Sequence, residues 1–242
     1  MIERNLVVER NERVAAKIFR MDLSGDIPQL VAGSFVEVSL DGLYLRRPIS
    51  VCESVPGKVT LVYKVVGKGT AQMSELPKGT VVNCLLELGN GFSVPDGCKK
   101  ALLIGGGIGT APLYQLAVEL RKKGVVTTLI AGFASESEVF YQKVFEKICD
   151  KALYATMDGT LGHKGLVTEL LDGCEYDYFY ACGPTPMLKA VTAAIATDGE
   201  LSLEERMGCG FGICMGCSLV TTKGPKRVCK DGPVFRKEEL VW

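Results

Sequence analysis

Short apolar runs separated by turn residues fill the first hundred positions of the chain. The runs are rich in Val, Leu and Ile, and several alternate with polar positions, as in strands with one buried face. Pairs such as Asp41-Gly42 and Pro56-Gly57 predict tight turns between them. This spacing predicts an antiparallel barrel or sandwich. The predicted strands are Asn5–Glu9, Val14–Met21, Ser34–Leu40, Ile49–Glu53, Lys58–Val66 and Val81–Leu86.

The pattern changes after Pro95-Asp96-Gly97. Fully apolar runs now alternate with helical stretches, and this alternation predicts a doubly wound parallel sheet. The predicted strands are Ala101–Ile104, Val125–Ala131, Leu153–Thr156 and Tyr178–Ala181, and the predicted helices are Ala111–Lys123, Glu138–Cys149 and Met187–Ala196. Beyond Gly199 the chain is rich in glycine and cysteine and has little periodicity. We therefore expect a β-barrel over residues 1–98, an α/β unit over 99–200 and a small C-terminal segment over 201–242.

Composition excludes several classes of function. Lys+Arg and Asp+Glu both number 28, so no overall positive field would gather nucleic acid or an anionic membrane. The stretch from Ala101 to Val118 carries no charge, but its glycines and Pro112 indicate a strand, a turn and a helix start rather than a membrane span. The first residues lack the apolar region of a secretory signal. Ten cysteines in a chain of this kind fit a reducing cytoplasm better than a disulfide framework.

Four cysteines lie close together near the C-terminus. Cys209, Cys214, Cys217 and Cys229 follow the C-x4-C-x2-C pattern with a distant fourth cysteine, which is typical of plant-type [2Fe–2S] sites. The intervening glycines let the backbone wrap closely around a cluster and bring amide N–H groups near its sulfurs. A structural zinc site is the alternative. Such a site normally uses two C-x2-C pairs or Cys/His pairs, and the only histidine, His163, lies far off in sequence.

A glycine-rich turn follows the first strand of the α/β unit. Its glycines would let a pyrophosphate approach the backbone, and the helix that begins after it offers free N–H groups to an anion. The acidic residue that a dinucleotide fingerprint places after the second strand is missing, because no acid precedes Glu136 there. Tight packing of strand and helix therefore stays open as the alternative. The candidate residues in this turn are Gly105, Gly106, Gly107, Gly109 and Thr110.

Two further turns carry candidate ligands. Cys182, Gly183 and Pro184 follow a predicted parallel strand, and open α/β sheets bind ligands at that end of their strands. In the barrel half, Arg47 is suited to bidentate phosphate binding. A second glycine-rich turn, Val66–Thr70, follows the next predicted strand and could supply N–H donors to the same phosphate. Taken singly, these features are better explained as ordinary turns and a basic edge strand.

Together, these motifs resemble the ferredoxin–NADP reductase superfamily. The segments Ser202–Cys209 and Val228–Phe235 look, more narrowly, like the electron-transfer subunits of dihydroorotate dehydrogenase B. The resemblance spans essentially the whole chain and implies an FAD-binding barrel domain, an NAD-binding α/β domain and a [2Fe–2S] segment. It implies FAD contacts from Arg47, Pro48, Ile49, Ser50, Val62, Tyr63, Lys64, Gly69 and Thr70. It implies that the glycine turn takes the nucleotide phosphates and that Cys182, Gly183 and Pro184 lie near the nicotinamide.

Two positions refine this resemblance. Ile49 stands where many superfamily members have Tyr, so the contact with the flavin ring would be aliphatic rather than aromatic. No Arg follows the second strand to bind a 2′-phosphate, and Glu136 and Glu138 would repel one, so NAD is favoured over NADP.

The resemblance also implies a partner. No part of the chain looks able to bind a pyrimidine, so the substrate chemistry would belong to an FMN-containing dihydroorotate dehydrogenase catalytic subunit, in a heterotetramer with two copies of each chain. The chain itself would be a cytoplasmic electron-transfer component of pyrimidine biosynthesis, binding neither nucleic acid nor membrane. Two alternatives stay open: a related subunit that serves ferredoxin, sulfide or polysulfide, and a non-catalytic, metal-stabilised interaction module.

Overall fold

Residues 2–88 form a closed antiparallel barrel in the computed structural model, which describes all 242 residues. The strand order around the barrel is β1-β2-β5-β4-β3-β6. Its strands are β1 (Ile2–Ala15), β2 (Ile18–Ser24), β3 (Phe35–Val38), β4 (Arg47–Val55), β5 (Lys58–Lys64) and β6 (Val81–Leu88), and the helix α1 (Lys68–Ser74) lies between the last two. Because the barrel is closed, none of its strands has an unpaired edge. Of the two predicted architectures, barrel and sandwich, the structure has the barrel.

The barrel interior is filled by alternate residues of its strands. In β6, Val82, Cys84, Leu86 and Leu88 are buried while the residues between them are more exposed. This period of two is what a strand with one buried face requires. Residues from all six strands meet in one apolar cluster, which makes the barrel a rigid support for the side chains on its rim.

The first hairpin differs from the predicted one. The predicted strands Asn5–Glu9 and Val14–Met21 imply a break in the polar run between them, and this prediction is wrong. Strand β1 continues through that run, and the chain turns at Lys17, whose φ is 58°. The run is strand because its residues pair with β2, for example Arg10 with Asp22. The Asn11 side chain also donates to the carbonyls of Met73 and Leu76. These contacts are not visible in local sequence.

A seven-stranded sheet forms the second half of the molecule, in the order β10-β9-β8-β7-β11-β12-β15. Its first six strands are parallel, as predicted, and β15 lies antiparallel to β12. The strands are β7 (Lys100–Gly106), β8 (Val126–Phe133), β9 (Lys151–Thr156), β10 (His163–Lys164), β11 (Tyr178–Cys182), β12 (Gly199–Ser202) and β15 (Val234–Arg236), and the helices are α2 (Leu113–Lys122), α3 (Gln142–Ile148) and α4 (Thr185–Ala194).

Helices cover both faces of this sheet. Leu103 of β7 packs in one apolar cluster with residues of α2 and α3, whereas its neighbours Leu102 and Ile104 pack with α4 on the opposite face. The sheet is therefore doubly wound, and the predicted fold class is confirmed. The helix predicted over Glu138–Cys149 is shorter than expected, because Tyr141 adopts a left-handed conformation with φ 57° and α3 begins only after it.

The C-terminal segment contains regular structure that its sequence pattern did not indicate. It forms the hairpin β13 (Ser218–Thr221) and β14 (Gly224–Arg227), the short helix α5 (Val228–Asp231) and β15. The linker after the barrel holds this segment in place. Asn90 donates to the Val234 carbonyl at 2.7 Å and accepts from the Val234 amide at 2.9 Å. The segment is thus attached both to the linker and to the sheet.

A buried carboxylate, Glu200, joins the same linker to β12. Its side chain is 5% exposed and accepts hydrogen bonds from the amide and the hydroxyl of Ser93. Burial outweighs these hydrogen bonds and the nearby Arg236, and it raises the pKa of Glu200. Because the folded pKa lies above the unfolded one, the stability that this group provides is complete at low pH and is lost as pH rises through the folded pKa.

We therefore expect Glu200→Gln to flatten the pH dependence of stability. Relative to the variant, the wild type should lose free energy of unfolding as pH rises above the ordinary range of a glutamate pKa, because only its carboxyl must ionise in a buried place. Urea unfolding at a series of pH values measures this difference. Glu75→Gln is the control, because Glu75 is exposed and its side chain has no hydrogen-bond partner. An equal flattening in both variants would contradict the prediction.

Candidate functional site

A cleft of about 260 Å³ lies between the barrel and the α/β unit. One wall comes from neighbouring barrel strands and includes Pro48, Ile49 and Ser50 of β4 and Val62, Tyr63 and Lys64 of β5, with Thr70 beside them. The opposite wall includes Ile108, Gly109 and Cys182 from the turns after β7 and at the end of β11. These strands pair in the barrel as β4 and β5, so candidate residues that are distant in sequence face one space.

Arg47 and Gly69 do not line this cleft, but they adjoin its residues Pro48 and Thr70 in the chain and contact each other. The Arg47 side chain crosses the α carbon of Gly69 so closely that any side chain at position 69 would overlap the guanidinium. Arg47 donates to the carbonyls of Leu45 and Arg46. The Thr70 hydroxyl accepts from the amides of Val66 and Gly67, at 2.9 and 3.2 Å. The turn Gly67–Thr70 therefore has a fixed shape and lies against the Arg47 guanidinium, an arrangement that suits phosphate binding.

A second cleft, of about 470 Å³, opens at the carboxyl ends of β7, β8 and β11. Gly106, Gly107, Gly109, Gly183 and Pro184 line it. This is the edge of the sheet at which open α/β folds bind ligands. Two apolar residues that sequence reasoning missed, Met157 and Leu166, also line this cleft and are both about half exposed.

Gly105 and Thr110 do not line either cleft. A side chain at Gly105 would collide with Thr110, so the absence of a Cβ there lets the turn fold back onto the strand. Thr110 is buried, and its hydroxyl has no hydrogen-bond partner. For these two residues the geometry agrees with the packing alternative left open by the sequence.

The two clefts share a wall. Lys64, Ile108, Gly109 and Glu204 border both, so a planar group in one cleft can lie against a group in the other. Lys64 of the barrel also forms an ion pair with Glu138 of the α/β unit at 2.7 Å, and both residues line the second cleft. Glu204 was missed by sequence reasoning, because it stands in an ordinary polar run. It is open to the clefts but surrounded by protein, and this desolvation raises its pKa.

The four C-terminal cysteines lie in two pairs. The Cys214 amide donates to the Cys209 sulfur at 3.4 Å, and the Cys229 amide donates to the Cys217 sulfur at 3.4 Å. Burial opposes ionisation of Cys209, but amide donors from Cys214, Phe211 and Ile213 outweigh it and lower the pKa of that thiol to about 6. Burial and the neighbouring Cys217 raise the pKa of Cys229 to about 12.

This arrangement suits a two-iron cluster better than a single ion. No three of these side chains surround one point as ligands of a single metal ion would. Two bridging sulfides leave each tetrahedral iron of a [2Fe–2S] cluster with two thiolates, so two sulfur pairs match its donor set. The loop around Cys209 also supplies amide N–H groups to sulfur, as such clusters require. The residues therefore fit the cluster.

The cysteine pairs lie close to the first cleft. Phe35 of β3 lines that cleft and packs in the same apolar cluster as Cys217 and Cys229. Glu37, two residues along β3, is 2% exposed, and its carboxyl group lies directly beneath Gly210 of the cysteine loop. Burial raises the pKa of Glu37, and Arg46 partly opposes this. Sequence reasoning missed both barrel residues, because their relation to the loop is entirely non-local.

Comparison with known proteins identifies the family. The chain is 40% identical over 250 residues to the dihydroorotate dehydrogenase B (NAD(+)) electron transfer subunit of Fusobacterium nucleatum, covering 96% of each chain. It is 42% identical over 247 residues to the protein of the same name from Lysinibacillus sphaericus, covering 95% of each. The chain belongs to this family of electron transfer subunits. Residues 204–241 also match the iron-sulfur cluster binding domain of dihydroorotate dehydrogenase B.

Solved structures agree with this assignment to the dihydroorotate dehydrogenase B electron transfer subunits. An NADH-dependent reduced ferredoxin–NADP oxidoreductase, studied for flavin-based electron bifurcation, is 30% identical, with a TM-score of 0.89 over 98% of this chain and 90% of that one. Phthalate dioxygenase reductase shares the fold, with a TM-score of 0.68 at 18% identity over 79% of this chain and 64% of that one.

Family membership confirms the predicted electron-transfer function and the predicted cofactors, FAD, a [2Fe–2S] cluster and NAD(H). It also argues against the non-catalytic interaction module. None of the helices is both long enough and apolar enough to cross a bilayer.

Proposed function

We propose that this chain passes electrons between NAD(H), FAD and a [2Fe–2S] cluster, and through the cluster to or from an FMN-containing dihydroorotate dehydrogenase catalytic subunit in pyrimidine biosynthesis. One observation carries the proposal. The two clefts share a wall, and Phe35 connects the first cleft to the cysteine pairs. The second cleft therefore adjoins the first cleft, and the first cleft adjoins the cysteine pairs.

In this proposal, residues 1–98 hold FAD, residues 99–200 hold NAD(H) and residues 201–242 hold the cluster. When bound, these groups supply hydride transfer, division of an electron pair into single electrons and one-electron carriage. Arg47 and the turn at Gly69 and Thr70 hold the FAD pyrophosphate. Six residues of β4 and β5 that line the first cleft would hold the flavin ring: Pro48, Ile49, Ser50, Val62, Tyr63 and Lys64.

Residues of the second cleft bind and orient NAD(H). The backbone of Gly106, Gly107 and Gly109 offers close approach to the phosphates, while Gly105 and Thr110 shape that turn. Cys182, Gly183 and Pro184 position the nicotinamide at the shared wall, and the largely apolar walls exclude water. Glu136 and Glu138 disfavour a 2′-phosphate, in keeping with NAD. Cys209, Cys214, Cys217 and Cys229 ligate the cluster.

The outlet to the partner is the outer face of the cysteine loop. Ile213 is 76% and Met215 52% exposed, on either side of the exposed Cys214. Apolar side chains of this kind favour burial against another protein. We infer that the catalytic subunit docks here, in a heterotetramer with two copies of each chain. None of the ten cysteines forms a disulfide bond, which suits the reducing cytoplasm.

A second acceptor is favoured by one comparison. The similar ferredoxin–NADP oxidoreductase structure, at 30% identity, is named for ferredoxin rather than for dihydroorotate chemistry. A related role serving ferredoxin, sulfide or polysulfide therefore stays a candidate. The partner decides between the two roles.

The proposal is tested by anaerobic purification of the chain, alone and co-expressed with an FMN-type α/β-barrel dehydrogenase from the same source. We expect FAD, with iron and acid-labile sulfide in equal amounts, and a stable complex in which NADH and dihydroorotate each reduce all cofactors. Absorption spectra, metal analysis and size-exclusion chromatography measure these outcomes. A colourless protein with zinc and no flavin would overturn the proposal. Cofactor-loaded protein that ignores the dehydrogenase but reduces ferredoxin or polysulfide would favour the second role.

A further inference from the structure

One peptide unit of the cysteine loop is held from both of its sides. The Arg227 Nη1 donates to the Gly212 carbonyl at 2.8 Å, and the Ile213 amide of the same peptide donates to the Cys209 sulfur at 3.3 Å. A trans peptide is planar, and its C=O and N–H point in opposite directions. A donor that fixes the carbonyl on one side therefore aims the N–H at the sulfur on the other.

Arg227 is itself rigidly placed. Its Nε and Nη2 donate to the two carboxylate oxygens of Asp231, at 3.0 and 3.3 Å, and its own amide donates to the same carboxylate at 2.8 Å. The guanidinium is therefore a permanent charge with a fixed orientation, next to the cysteines.

The position of Arg227 matters because the loop has no regular secondary structure of its own. Residues 209–217 form no helix or strand, and Ile213 through Gly216 are exposed. Gly212 is buried and packs against the stem of Lys230, where a Cβ would come within 2.6 Å of that side chain. Arg227 thus ties the loop that carries three cysteines to α5, which carries the fourth.

We propose that Arg227 is a positioning residue for the iron-sulfur cluster, holding the peptide between Gly212 and Ile213 so that its N–H points at the Cys209 sulfur. The inference rests on the proposed ligation of the cluster by the four cysteines. Reduction adds negative charge to the cluster, and both an N–H donor to sulfur and a fixed cation favour the reduced form. Arg227 therefore keeps the midpoint potential higher than it would otherwise be.

The test compares Arg227→Gln and Arg227→Lys in the complete chain, purified anaerobically. Arg227→Gln should shift the cluster midpoint potential to a more negative value and change the electron paramagnetic resonance of the reduced cluster. Arg227→Lys keeps the charge but loses the planar fork, so its potential should lie between those of the wild type and Arg227→Gln, with an altered spectrum. Lys226→Gln is the matched control, because it removes the neighbouring positive charge from a side chain without a hydrogen bond to the loop.

Each outcome has a definite meaning. Loss of iron from Arg227→Gln with FAD retained supports the proposal, because the flavin site is then intact and only the loop has failed. Unchanged potential and resonance in Arg227→Gln, or an equal shift in Lys226→Gln, would overturn it while leaving the proposed function standing. A wild-type chain that binds no [2Fe–2S] cluster would instead overturn the proposed function, and this inference with it.

Discussion

Cys229→Ser should remove the iron-sulfur cluster and leave FAD in place. Cys229 is 2% exposed and packs with Cys217 and Phe35, so serine fits the space but is a poor ligand for iron. The residues proposed to hold FAD lie on other elements, β4, β5 and α1. We expect iron to fall to background, electron delivery to the catalytic subunit to stop, and NADH oxidation with an artificial flavin oxidant to continue.

Iron, sulfide and flavin analysis of the purified variant measures this result. Cys98→Ser is the control, because Cys98 is a half-buried thiol in the linker. Its sulfur forms a single hydrogen bond, to the Lys100 carbonyl. If FAD is lost from Cys229→Ser in the same proportion as iron, the flavin and cluster sites depend on each other more than their separate elements suggest.

Gly109→Val should slow the reduction of the flavin by NADH. A Cβ at Gly109 would come within 2.6 Å of the Cys182 carbonyl oxygen, which is backbone and has no flexible end to move away. The wall shared by the two clefts must therefore shift. Because a misplacement of about 1 Å can cost roughly 100-fold in rate, we expect NADH to reduce the flavin at least about 100-fold more slowly.

Stopped-flow reduction of the flavin by NADH measures this rate. Iron content and reduction by dithionite should be unchanged, because the cysteine loop does not contact Gly109. Gly124→Asn is the control: it adds a side chain at another glycine where nothing lies within 4 Å, with φ 73°, a conformation that asparagine tolerates. A normal rate in Gly109→Val would contradict the proposed meeting of nicotinamide and flavin at this wall.

Local patterns predicted much of this molecule. The alternation in β6, the apolar run of β7 and the turn that follows it each depend on neighbours within a few residues, so they could be read directly. The cysteine spacing is equally local, and its two sulfur pairs suit the cluster that the spacing predicted. These features follow from backbone geometry and hydrophobic burial alone.

The remaining features depend on chain segments that are far apart in sequence. Glu37 lies beneath Gly210 only because the barrel closes and the C-terminal segment returns to it. Lys64 meets Glu138 only because the two halves pack together. No periodicity marks such residues, since a charged side chain at an internal contact looks the same in sequence as one at the surface. The predicted end of the first strand was wrong for the same reason, because the polar run of β1 is strand only through its pairing with β2.

The strand β15 has a consequence for how this family could be rebuilt or recombined. The stretch recognisable as a sequence unit, residues 204–241, includes β15, yet β15 completes the sheet of the preceding part by pairing with β12. A chain that ended before residue 204 would lack β15, and β12 would become an edge strand whose backbone groups, such as those of Leu201, have no pairing partner on that side. The C-terminal segment is therefore not an independent domain that can be exchanged freely. A chimera that replaces it must also preserve the pairing between β15 and β12.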